Sequence, residues 1–458
     1  MNVFKVLIIM ALMAAPLTRL PHKVSVWVTN GKGSKLLHRD ADIPMYPGSQ
    51  GMISIDTSRR LQEVSGFGAA LTGSSAWLIH QLEPARRKAL LRELFDPARG
   101  IGISYLRITM GASDFSLRDY TYDDLPAGSQ DPQLKRFSLG DDRQDVIPVL
   151  KEILEVAPGL RIMATPWSAP AWMKTNGRLA GGKLDPQWYE AYAHYFVKYL
   201  RALAAEGIHV DAVTVQNEPL HEAAYPSMRM EAAEQAVFIR DHLGPLFRRE
   251  KIHTKIIAYD HNWDEPQYPL TILNDPQAAG YVAGSAFHAY AGDVSAMSRV
   301  HDAYPAKELH FTEISGGEWA RNFSDNLQWN ISNIFIGTMN NWSKSALLWN
   351  LALDAAHGPQ NRGCSNCRGV LTLRGDSTLR NVEYYVIAHF SKFVRPGAYR
   401  IQSRNDAPLE SVAFLNRDGG KVLVALNKAD TAVSFTVQAG KAVFQYRLEE
   451  HAVVTLAW

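Results

Sequence analysis

The 458-residue chain is 46% hydrophobic and 21% charged, an ordinary globular balance with ample material for a large core and more length than one average domain needs. Its net charge is only +2, with Lys and Arg spread along the chain, which excludes the basic patch that a nucleic-acid-binding surface requires. Eleven Trp and eighteen Tyr supply many aromatic faces, most of them destined for the core.

In chain order, Lys5 precedes an apolar run over 6–15. One positive charge followed by about ten apolar residues is the pattern of a signal peptide, too short to span a membrane. Residues 1–20 are therefore expected to be a leader directing the protein to the periplasm or the exterior, with a buried N-terminal strand as the alternative. No other apolar run is long enough to span a bilayer. Val24-Ser25-Val26-Trp27-Val28-Thr29 alternates with period two and predicts a half-buried strand; Met52-Ile53-Ser54-Ile55 predicts another, so 21–62 is read as strands of a β-sandwich.

From 63 to 390 short apolar runs alternate with longer segments of helical spacing. Eight strands are predicted, at 63–67, 104–108, 160–165, 212–216, 255–259, 284–288, 308–312 and 345–349. Helices are expected between them, for instance over 84–94, 185–203 and 231–247; Asp185-Pro186 is an N-cap followed by the residue favoured at the first helical position. Eight strand–helix repeats are the count of a closed (β/α)8 TIM barrel. A doubly wound open sheet is the alternative, but no Gly-rich phosphate turn is present. Beyond 391 helical periodicity is lost, and strands at 409–414, 421–427, 432–437 and 453–456, with the turn Asp418-Gly419-Gly420, predict the remainder of the sandwich. The expected fold is thus α/β, a TIM barrel carrying a β-sandwich side domain built from both termini.

In such a barrel the C-terminal ends of the strands carry the site. Strand four ends Val215-Gln216-Asn217-Glu218-Pro219, and Pro219 cannot extend a ladder, so Glu218 stands at the mouth. Strand seven likewise delivers Glu313 into Ile314-Ser315-Gly316-Gly317. Two carboxylates at two strand ends are the minimum equipment for cleaving a glycosidic bond. Around them the strand ends place Arg107, Asp114, Phe115, Trp167, Asn217, His288, Tyr290, Trp349 and Asn350, which together offer polar groups for hydroxyls and aromatic faces for a ring. Glu218 suits the acid/base role and Glu313 the nucleophile, with Arg107 stabilising an ionised carboxylate. Structural readings stand beside these: Arg107 in a salt bridge inside the barrel, Asp114 as a helix cap, Trp167 and Trp349 as packing, His288 as a satisfied core histidine. A His288–Tyr290 pair near Glu313 would orient it. No His, Asp and Glu cluster has metal-ligand spacing, so no metal is expected. Cys364 and Cys367, in a polar stretch, are read as a small structural disulfide, with a reduced pair as the alternative.

The chain resembles glycoside hydrolase family 30, near the acid β-glucosidases that cleave glucosylceramide. The resemblance rests on Gly66-Phe67-Gly68-Ala69-Ala70-Leu71-Thr72, on Arg107 to Ser116, on Pro166 to Asn176, on Gln216-Asn217-Glu218-Pro219, on Phe287-His288-Ala289-Tyr290, on Thr312-Glu313 and on Trp349-Asn350-Leu351-Ala352-Leu353. It implies Glu218 as acid/base, Glu313 as nucleophile, a retaining mechanism without metal or cofactor, and Asp114, Trp167, Asn217 and Trp349 as glucose contacts. Segments 314–319 and 363–369 instead look like microbial members, some of which cut β-1,6-glucan. The first expectation is a glucosylceramidase-type β-glucosidase acting on a glycolipid or β-glucan. The second is an endo-β-1,6-glucanase or β-xylosidase. The third is a carbohydrate-binding protein on an inactive scaffold, against which both carboxylates argue.

Overall fold

The computed structural model describes residues 23–375 and 377–458; the leader expected over 1–20 lies outside the described residues. Eight parallel strands close into a barrel: β1 Gly66–Leu71, β2 Tyr105–Met110, β3 Arg161–Pro166, β4 Ala212–Thr214, β5 Lys255–Asn262, β6 Val282–His288, β7 Glu308–Glu313 and β8 Ser343–Leu348. Closure is made by β8 against β1, with Ser345 opposite Gly66 and Leu348 opposite Ala69.

The order and number of the strands agree with the sequence; several ends do not. The first barrel strand begins at Gly66, because Glu63 ends a long strand, Ile53–Glu63, of the other domain. Gly68 is required where it stands: a Cβ there would lie 2.0 Å from the carbonyl oxygen of Tyr105 on the neighbouring strand. The helix expected over 231–247 is interrupted. It runs as Ala232–Val237, a wide turn over Phe238–Leu243, then Gly244–Arg249. Pro245 lacks the N–H that a continuous helix would need at that point. Asp185 caps its segment as expected, accepting from the Gln187 N–H at 3.1 Å, before the long helix Tyr189–Ala205.

The second domain is one ten-stranded sheet drawn from both termini. Lys23–Asn30 pairs antiparallel with the C-terminal strand Ala452–Ala457, and Ile53–Glu63 lies between Tyr399–Asn405 and Val433–Ala439. Its two layers enclose Val24, Val26, Ile53, Phe435, Val437, Phe444 and Leu456, all buried. Among the described residues no helix is long and apolar enough to cross a membrane.

Inside the barrel, side chains lie in layers. A lower layer is apolar: Tyr105, Met163, Ala212, Ile257, Ala286 and Leu347. Two residues further along β2, β3, β4 and β6 the pleat returns to the interior, and there the layer is polar: Arg107, Thr165, Thr214 and His288, all buried. This polar layer is the floor on which the site is built.

Candidate active site

The strand ends converge on two carboxyl groups. Glu218 follows β4 with a left-handed backbone (φ 45°), its N–H donating to the Asp260 carbonyl at 3.0 Å while the Asn217 N–H donates to that of Pro166 at 2.9 Å. These two bonds fix the turn that lifts Glu218 over the mouth. Glu313 ends β7. Oxygens of Glu218 and Glu313 and a ring nitrogen of His288 all lie within 4.8 Å of one another.

Each carboxyl has its own donors. Arg107 Nη1 pairs with Glu313 Oε2, and the Tyr290 hydroxyl donates to Glu313 Oε1 at 3.0 Å. His288 Nδ1 bonds Glu218 Oε1 at 3.0 Å and stands 3.9 Å from Glu313. His288 therefore orients Glu218 and not, as expected from its neighbour Tyr290, Glu313; the tyrosine alone of that pair holds Glu313.

Asp260 ties the layer together. It was not singled out from the sequence. Its Oδ2 accepts from Arg107 Nη2 at 2.8 Å and Thr214 Oγ1 at 2.7 Å; its Oδ1 accepts from Thr312 Oγ1 at 2.7 Å and bonds His288 Nε2 at 3.0 Å. Simple alternation along β5 from Ile257 would point Asp260 outward. Positive φ at Tyr259 (73°) and Asp260 (75°), with a break in register against β6, turns it in. The available signal was that the run 255–259 continues into Asp260-His261-Asn262, a polar delivery like those of the other strands.

The charges follow from burial and neighbours. Burial opposes the charge on His288, but Glu313, Asp260 and Glu218 outweigh it and raise its pKa to about 9. Burial likewise opposes ionisation of Asp260, yet Arg107 and His288 hold it far below the usual carboxylate range. Burial raises Glu313 more than His288 and Arg107 lower it. Glu218, also pushed up by burial, is brought below its ordinary value by the bond and charge of His288. Burial thus opposes ionisation of both carboxyls, and His288 and Arg107 act against it.

Above these groups is a pocket of about 370 Å³ lined by Asp114, Glu218, Tyr225, His261, Tyr290, Glu313, Trp319 and Trp349, with the disulfide Cys364–Cys367 at its edge. Asp114 begins no helix; its buried Oδ1 has no partner, and burial holds its carboxyl well above the usual range. A side-chain hydrogen bond with Trp349 acts in the opposite direction. Tyr225 and Trp319 were not anticipated, because they sit on loops without a motif; nor was His261, because β5 runs past the expected end at 259.

Other expected contacts lie beneath the pocket. Trp167 is 2% exposed and stacks on Trp349 at 5.1 Å, with the Arg107 guanidinium 4.9 Å from its ring. Phe115 is fully buried against the edge of Trp349. Asn350, also fully buried, accepts from Thr72 Oγ1 at 2.9 Å. None of these three is in the pocket lining; they shape the floor that carries Trp349. Asn217 accepts from Arg107 Nη2 at 2.7 Å, so both the site and salt-bridge readings of Arg107 hold at once.

The expectation of no metal-ligating cluster also needs amending, since the sequence scattered what the fold gathers: Glu218, His288 and Glu313 could hold an ion by distance alone. Positive charge is already supplied there by Arg107 and the protonated His288.

A family description, the glycosyl hydrolase family 30 TIM-barrel domain, matches residues 64–394, and the β-sandwich domain of the same family matches 397–456. The chain belongs to glycosyl hydrolase family 30. Membership makes it a glycoside hydrolase, a β-glycosidase. Among its relatives in this family are an endo-1,6-beta-D-glucanase from Neurospora crassa, 37% identical over 83% of this chain and 82% of the relative. The lysosomal acid glucosylceramidase of Mus musculus is 32% identical over 84% and 79%. The solved structure of an endo-beta1,6-glucanase superposes with a TM-score of 0.89 at 36% identity, covering 95% of this chain and 99% of the other.

Proposed function

We propose that this family 30 hydrolase cuts β-1,6-linked glucan with retention of anomeric configuration. The observation that carries the chemistry is the approach of Glu218 and Glu313 to within 4.8 Å. Retaining enzymes hold their carboxyls about 5–5.5 Å apart, whereas inverting ones leave about 6.5–9.5 Å for a water.

The roles follow from the donors. Glu313 is held by a guanidinium and a phenol, both of which stabilise its ionised form. Glu218 is the more open of the two, with 13% of its side chain exposed against 7%. A bound sugar covers Glu218, and the proton of the charged His288 passes to it across their 3.0 Å bond. Glu313 then bonds to the anomeric carbon as the glycosidic C–O bond breaks, and the leaving oxygen takes the Glu218 proton. In the second half Glu218 takes a proton from water, whose oxygen attacks the anomeric carbon and releases Glu313.

The substrate reading rests on the two glucanases, each more similar to this chain than the mouse glucosylceramidase, and on segments 314–319 and 363–369 at the pocket rim. Glucosylceramide, the first expectation from the sequence, has the weaker support. A polymer cannot cross a bilayer, so we also propose that the leader directs export; deleting 1–20 should trap activity inside the cell, and unchanged secretion would count against it.

The test of the reaction is proton NMR during hydrolysis of a β-1,6-glucan. The first reducing ends should be β. Ends that form first as α would overturn retention, and a faster rate on glucosylceramide or an aryl β-xyloside would overturn the choice of substrate.

A further inference from the structure

Next to the catalytic pocket lies a second cleft, of about 580 Å³. Tyr290, Ser315 and Trp319 line both. Trp349 in the pocket wall is buried, whereas Tyr290 is 45% exposed and Trp319 is 58% exposed. The two spaces thus communicate on the Tyr290 side.

Trp319 is unusual in being both exposed and fixed. A Cβ added at Gly317 would lie 2.0–2.4 Å from its ring atoms, so the indole rests flat on the Gly317 backbone. That backbone is itself paired: Gly316–Gly317 runs antiparallel to Cys367–Arg368, and the Glu318 N–H donates to the Asn366 carbonyl at 2.9 Å. A large apolar ring seated on one face and left to solvent on the other is not serving the core. Across the cleft, Trp329 ends the helix Phe323–Trp329 and is 42% exposed. The same cleft is lined by polar side chains, among them Ser315, Asn322 and Asp325.

We propose that the cleft between Trp319 and Trp329 is a carbohydrate subsite that holds a further glucosyl unit of the chain being cut. The inference rests on the β-glucan reading above. Aromatic faces take the C–H face of a pyranose, and the polar groups of the cleft take its hydroxyls. A hydrocarbon tail would find those polar groups left without partners. Because Trp319 is immobilised before the ligand arrives, little ordering opposes binding.

The test compares kcat/KM on a β-1,6-linked glucose tetrasaccharide, an aryl β-glucoside and an alkyl β-glucoside, for the wild type, Trp329→Ala, Trp319→Ala and Trp319→Phe. Loss of one stacking face should lower the ratio of tetrasaccharide to aryl glucoside roughly ten-fold, through KM, in both alanine variants. Trp319→Phe should keep most of that ratio. An unchanged ratio in Trp329→Ala and Trp319→Ala overturns the subsite. So does an equal fall on the alkyl glucoside, which would mean that the cleft takes hydrocarbon. Failure of the β-1,6 reading shows separately, as wild type that leaves the tetrasaccharide uncut; the ratio is then read with β-1,3- and β-1,4-linked tetrasaccharides, and the same outcomes decide.

Discussion

Arg107 and Asp260 form a 2.8 Å ion pair in which neither side chain has any solvent exposure. The pair connects both reactive carboxyls. Arg107 reaches Glu313 directly, while Asp260 holds Glu218 twice, through its own carbonyl and through His288. A buried pair of this kind contributes little net stability but is costly to break from one side. Asp260→Ala leaves Arg107 and His288 buried with one carboxylate fewer, only Glu313 and Glu218 remaining to balance them. We expect a loss of about 3–5 kcal/mol in unfolding free energy and a fall in kcat larger than any rise in KM. Denaturant unfolding and steady-state kinetics check this. Unaltered stability together with unaltered kcat would show that Asp260 is not the hub described.

The two glutamates should fail differently. Glu218→Gln removes general acid and base, an effect of about 10²–10⁴-fold on a glucan and much less on an activated aryl glucoside, whose leaving group needs no proton. Added azide should restore turnover of the aryl substrate by replacing the water that Glu218 would activate. Glu313→Gln should be silent on both, with no rescue. The reverse pattern would exchange the two roles.

Chelation should leave the rate unchanged. The three possible ligands Glu218, His288 and Glu313 are already engaged with Arg107, Asp260, Tyr290 and one another. Dialysis against a chelator followed by assay tests this, and a loss recovered by a divalent cation would require a metal step.

Much of this site could be read from the chain because strand ends in a barrel are ordered by the pleat. Val213 and Val215 mark a buried strand and Pro219 stops it, so Glu218 had one place to go. Glu313 and Arg107 follow by the same rule. Asp260 escaped because β5 departs from alternation: two consecutive residues with positive φ re-aim it, and nothing in Tyr259-Asp260-His261 announces such a turn. Trp167, Phe115 and Asn350 were placed at the right level, but alternation gives no depth, and in the stack of Trp349 on Trp167 only Trp349 lines the pocket. The pairing of His288 with Glu218, and not with Glu313, depends on β6 and β7 slipping in register, which no local pattern records.

His288 gives the protein a stability that depends on pH. Its pKa is raised to about 9, against 6.5 for an ordinary histidine, by Glu313, Asp260 and Glu218 acting against burial. A raised pKa means that the folded state holds the proton more tightly. The stabilisation is therefore complete below pH 6.5 and is lost as pH rises through about 9. Its size is roughly 3 kcal/mol. Asp260, with its pKa lowered, has the opposite sign: its contribution is present above the ordinary carboxylate range and is lost only in acid. Between pH 6.5 and 9 the wild type should lose stability relative to His288→Asn, as followed by denaturant unfolding. Parallel curves would mean that His288 is neutral in the folded protein.

The disulfide should act on substrate binding more than on stability. Cys364 and Cys367 are only three residues apart, so little chain entropy is removed by joining them, under about 2 kcal/mol. Their loop nevertheless braces two pocket walls. The Asn361 N–H donates to the Asp114 carbonyl at 2.7 Å, and a Cβ at Gly363 would lie 2.7 Å from that of Asp114. On the other side Cys367 pairs with Gly317, under Trp319. Opening the bridge frees both Asp114 and the Trp319 platform to shift. Reduction, or the double variant Cys364→Ser with Cys367→Ser, should raise KM for a β-1,6-glucan several-fold, with a smaller change in kcat and only a small fall in stability. Saturation kinetics before and after reduction separate these effects. A large loss of stability with unchanged KM would assign the bridge to the fold instead of the pocket.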